Sequence, residues 1–140
     1  MYHVNKFFTL FLSFILTLFV VIFYSNVALA NYDANKLDQQ VNAAIQKIKS
    51  NNQAQARAEF ERLKKYIFSL KNDGHGGKYV HLLGLKMAFS NIDANKVKKT
   101  DCPGLKSQLE LDFAPNKPKA NWPKHLNQSM QALDSLCSKL

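Results

Sequence analysis

The stretch Asp33-Ala34-Asn35-Lys36-Leu37-Asp38-Gln39-Gln40-Val41-Asn42-Ala43-Ala44-Ile45-Gln46-Lys47-Ile48-Lys49 decides the fold. Leu37, Val41, Ile45 and Ile48 recur at i, i+4, i+8 and i+11, which lines one face of an α-helix. Asp33 or Asn35 can cap its start, where backbone amides lack an intrahelical partner, and Ser50-Asn51-Asn52 ends it. A one-sided helix is stable only when its apolar stripe is covered. The rest of the chain therefore has to supply partners of the same period.

It does. From Gln53 to Lys71, Ala56, Phe60, Leu63, Ile67 and Leu70 form a second stripe, and the short link predicts that the two helices run antiparallel. Glu61 precedes Lys64 and Lys65 at helical spacing, and Glu59 precedes Arg62, which reads as solvated ion pairs. Asn72-Asp73-Gly74-His75-Gly76-Gly77 is the clearest break. The third helix, Lys78 to Asn91, carries Val80, Leu82, Leu83, Leu85, Met87 and Phe89, and Ile92 follows. It is apolar on most sides, which predicts the central, best-buried helix. Gly84 inside it costs about 1 kcal/mol against Ala and points to close approach of a neighbouring helix.

Asp93–Thr100 is polar and Lys-rich, with room for one or two helical turns. Pro103 suits a first turn, so a short fourth helix is expected through Phe113, with Leu105, Leu109 and Phe113 on one side. Residues 114–120 read as a stiff, basic, exposed linker. The last helix is expected from about Asn121, with Pro123 in its first turn and Trp122, Leu126, Met130, Leu133 and Cys137 along one face. No run alternates with period two, and no repeat signature is present. The expectation is an all-α protein: a small bundle of about five helices forming one domain over residues 31–140.

Residues 1–30 read as a cleavable signal peptide. Lys6 gives a basic start, Phe7 to Tyr24 runs without charge, and Ala28 and Ala30 stand where a signal peptidase requires small residues. The alternative is an uncleaved anchor, because the run approaches the ~20 residues that span a bilayer; membrane contact is expected only in that case. The expectation is export, to the periplasm or outside the cell, with the mature protein beginning at Asn31. High Asn and Lys content with a Phe-rich leader is compatible with an AT-rich bacterial genome.

Lys6 is the one base before residue 31, so the mature part keeps 18 of the 19 bases against ten acids, a net +8. Only Arg57 and Arg62 are Arg. Lys solvates, whereas Arg makes the forked contacts of nucleic-acid readout, and export removes the chain from most nucleic acid; no nucleic-acid partner is expected. Cys102 and Cys137 are an even pair in an exported chain and are expected to form a disulfide worth roughly 3–4 kcal/mol in the loop-entropy picture. Neither belongs to a Cys-x-x-Cys motif, which argues against redox catalysis.

Motifs for chemistry are absent. Gly74-His75-Gly76-Gly77-Lys78 is not a P-loop: position 72 is Asn, position 79 is Tyr, and a helix rather than a strand precedes it. It reads as a helix-ending turn. His75, His81 and His125 lack metal-ligand spacing, although His81, His125 and a carboxylate could meet in three dimensions. No catalytic residue, metal or cofactor is assigned, and the chain is read as not an enzyme. The function expected is binding of another protein, as an inhibitor, immunity protein or adaptor, with His75, Lys78, Lys117, Lys119 and Lys124 as candidate contacts. The alternatives are a carrier of a small apolar ligand or lipid and, after it, an enzyme with a site assembled from scattered residues.

Overall fold

The computed structural model describes residues 33–71 and 77–140. The leader, the proposed mature terminus at Asn31 and the candidate contact His75 lie outside the described residues. Five helices follow in order: α1 (Ala34–Ser50), α2 (Gln53–Ser69), α3 (Gly77–Ser90), α4 (Cys102–Phe113) and α5 (Lys124–Cys137). Short 3₁₀ turns at Lys99–Asp101 and Lys119–Asn121 lead into α4 and α5, and no strand occurs among the described residues. Over the described residues the protein is an all-α bundle of five helices with one disulfide.

Local chemistry sets the helix ends. The Asp33 carboxylate accepts from the backbone N–H groups of Asn35 and Lys36 and starts α1. Asn52 does the same for α2 through the N–H of Gln55. The link between them leaves α1 and α2 antiparallel: Lys47 lies 3.8 Å from Glu59, while Gln40, an earlier residue of α1, shares a hollow with Tyr66, a later one of α2. Leu37, Val41, Ile45 and Ile48 face Ala56, Phe60, Leu63 and Ile67 in one continuous core.

α5, not α3, is the central helix. It packs against all four others. Leu126, Met130, Ala132, Leu133, Leu136 and Cys137 are buried, and so are His125, Gln128, Ser129 and Ser135. Small residues at 129, 132 and 135 let neighbouring helices close in, which overrides the low hydropathy of this segment. α3 buries Leu82, Leu85, Ala88 and Phe89 but turns Val80, Leu83 and Met87 outward. Apolar girth therefore misplaced it.

The expected solvated pairs on α2 are only partly formed. Glu59 pairs with Arg62 but is itself buried. Arg57, Glu61 and Lys64, on one face of α2, instead grip the segment after α3. Arg57 donates to the carbonyls of Ala94 and Val97, Glu61 accepts from the Ala94 N–H, and Lys64 donates to the Ile92 carbonyl. Those backbone groups lack helical partners, and the charged side chains satisfy them. Ile92, Ala94 and Val97 are thereby held in the core.

Cys102 at the start of α4 and Cys137 at the end of α5 form the expected disulfide, with Cα atoms 6.1 Å apart. α4 otherwise buries only Leu109 fully, with Leu105 and Phe113 packed at the edge. Pro123 is the residue before α5 rather than part of its first turn, and Trp122 is half-buried outside the helix. The extended backbone at Trp122 and Pro123 is what an X-Pro step favours.

Candidate functional site

Two features stand out: a polar cluster inside the bundle and an apolar face outside it. The cluster joins α1, α3 and α5. Lys124 pairs with the Asp38 carboxylate, and Gln128 Nε2 donates to Asp38 Oδ1 at 3.1 Å. His81 Nε2 lies 3.3 Å from the same oxygen, off the line of a hydrogen bond, and has no other partner among the described residues. The His125 ring stands 6.2 Å from that of His81 and edge-on to Phe113 at 5.2 Å.

The electrostatics follow from this packing. Burial alone would raise the Asp38 carboxyl, but the hydrogen bonds from Lys124 and Gln128 and the nearby positive charge outweigh it and hold the group below its ordinary value. Burial lowers His81 against the pull of Asp38. Burial, with a smaller contribution from His81, lowers His125. Both rings are therefore neutral near pH 7 beside an ionised Asp38. The described hollows do not open onto them. Among the described residues no three His, Cys, Asp or Glu converge so as to hold a metal ion. The arrangement pins three helices together.

The outer face is built by α3. Val80, Leu83 and Met87 recur at three and four residues and stay 57 %, 38 % and 53 % exposed. Beyond Met87 on the same side lies Ser90, which shares a hollow of about 290 Å³ with Glu61, Lys64, Lys65 and Phe68 of α2. Phe68 is 47 % exposed. A signal for this face was present in the sequence: α3 has more apolar residues than one buried side of a helix can use.

The candidate contacts read from the sequence fall on the segment before and into α3 and on the linker before and into α5. Lys78 falls in the first turn of α3. Lys117 is exposed, and its carbonyl accepts from the Trp122 indole. Lys119 lies over the Trp122 ring at 5.7 Å from its centroid, and Lys124 is tied to Asp38. The basic linker is thus anchored at both ends of its 3₁₀ turn.

Compared with protein-family models, curated proteins and solved structures, the chain matches none.

Proposed function

We propose that the mature chain is a small exported protein of the cell envelope that works by binding another protein, with α3 as its docking face. The supporting observation is the stripe of Val80, Leu83 and Met87, joined at its Ser90 end by Phe68. Single exposed apolar residues are ordinary, but an aligned set beside a shallow hollow is what an interaction surface offers. The scaffold beneath is closed by a disulfide and an internal polar cluster, so the face is presented rigidly. A carrier would need a chamber among the helices, and the described hollows instead open to solvent. The reading assigns no catalytic residue and no cofactor.

The test is site-specific photo-crosslinking in the native envelope, with the photoreactive residue at position 83 or, for comparison, at position 117. The expected result is a defined protein adduct from position 83. Lipid adducts alone from position 83 would overturn the reading in favour of a carrier or a membrane-bound protein. Protein adducts only from position 117 would move the docking face to the linker.

A further inference from the structure

We infer that the segment docking on this face is an acidic amphipathic helix of the partner protein, an inference that rests on the docking reading above. The charge around the face carries it. Lys64 and Lys65 on α2 and Lys86 on α3 are the described bases beside the face, whereas Arg62 is paired with Glu59 on the α1 side of α2. Lys64 and Lys65 line the hollow beside Phe68. Lys64 and Lys86 donate to the backbone carbonyls of Ile92 and Leu70, contacts that leave their positive charge uncancelled. Among the described residues no carboxylate forms an ion pair with Lys64, Lys65 or Lys86. Glu61 also borders the hollow, and its bond from the neutral Ala94 N–H leaves its charge in place, so the two lysines there exceed the one carboxylate.

Shape and charge together select among occupants. Val80, Leu83 and Met87 extend over about two helical turns, roughly 10 Å, which gives a neighbouring helix a row of side chains to pack across. A second copy docked face to face about a two-fold axis would set lysines against lysines, which disfavours self-association. A lipid surface is entered by side chains that stand clear of the fold and reach ~5–10 Å into the headgroup boundary. Here the four apolar side chains are 38–57 % exposed, so about half of each is already covered by the fold. A partner helix with apolar residues at three-and-four spacing and Glu or Asp along its flanks matches both the stripe and the lysine rim.

The experiment is a selection from a displayed library of helical peptides of three to four turns with randomised charge, using the disulfide-closed mature protein as bait. Selected peptides are expected to be net acidic and apolar along one side. Their binding should fall roughly tenfold or more with Leu83→Asp, and again with Lys64→Glu plus Lys65→Glu, and should weaken as salt is raised. Met87→Asp is a second variant on the same face, and each variant's circular dichroism and thermal transition are compared with the parent to show that it folds. Enrichment of neutral or basic peptides, or equal binding to both the Leu83 and Met87 variants, overturns the inference. So does a dimer that Leu83→Asp dissolves, or binding to vesicles of phosphatidylcholine with phosphatidylglycerol that exceeds peptide binding. A protein adduct at position 83 together with neutral selected peptides would sink the acidic helix and leave the docking face standing. No adduct and no enriched peptide would remove both.

Discussion

Gly84 of α3 and His125 of α5 touch so closely that a Cβ on residue 84 would lie 2.5 Å from Cγ and Cδ2 of the imidazole. His81 and Phe113 flank the ring, with centroids 6.2 and 5.2 Å from its own. Gly84→Ala would gain about 1 kcal/mol of helix propensity and lose about 1–3 kcal/mol to overpacking. A net loss of up to about 2 kcal/mol is expected in urea denaturation of the mature protein. In a His125→Ala background the same change should become neutral or stabilising. Simple additivity of the two substitutions would show that the contact is not the cause.

Acid should weaken this junction. His81 and His125 are both lowered from 6.5 in the folded protein, so the unfolded chain takes up their protons first. Their contribution is complete above about pH 6.5 and is lost as pH falls below it towards the lowered folded values. Asp38, lowered from 3.8, adds a loss in the same direction at still lower pH. The charged groups facing the rings are Asp38 on α1 and Lys124 on α5. Stability measured from pH 7.5 to 5 should therefore decline, and His81→Gln should flatten the decline; an unchanged slope in that variant would contradict the assignment.

Arg57 should matter more than a surface arginine. It bonds to the carbonyls of Ala94 and Val97, residues the chain would otherwise leave without helical partners. Since the side chain is half-buried, Arg57→Ala is expected to cost about 1–2 kcal/mol. Hydrogen exchange should quicken at the amides of Lys96 and Val97, which bond to the Asp93 carbonyl. A stability loss without faster exchange there would place the effect elsewhere.

Replacing Cys102 and Cys137 together by Ala is expected to cost about 3–4 kcal/mol if the loop-entropy picture holds. The loss should be uneven. α4 has little besides Cys102, Leu109 and the Lys106–Asp134 ion pair to hold it, so its amides should lose protection before those of α1 and α2. Uniform loss of protection across all five helices would contradict this.

The stripes of α1, α2, α4 and α5 were legible because each records a local period. Leu37 to Ile48 and Leu126 to Cys137 announce a buried face without reference to anything else. What escaped was information held at long range. Arg57 and Ala94 are 37 positions apart, and Lys124 and Asp38 are 86 apart; no spacing rule couples them. Glu61 had nearby lysines, so the local pairing looked sufficient while its carboxylate served a distant amide. In α3 the apolar residues were visible, but which side the bundle would cover depended on where α2 and α5 came to rest. The exposed side of α3 was therefore mistaken for core.

The Cys102–Cys137 bond has a consequence for timing. Thiols stay reduced in the cytosol, and such a bond forms in an oxidising compartment. On the export reading, the segment from Cys102 onward travels without its clasp, so α4 adds least to the resistance the chain offers to being threaded. Once across, oxidation joins the start of α4 to the end of the central helix. On that reading part of the rigidity is acquired on arrival, after the stage at which it would hinder passage.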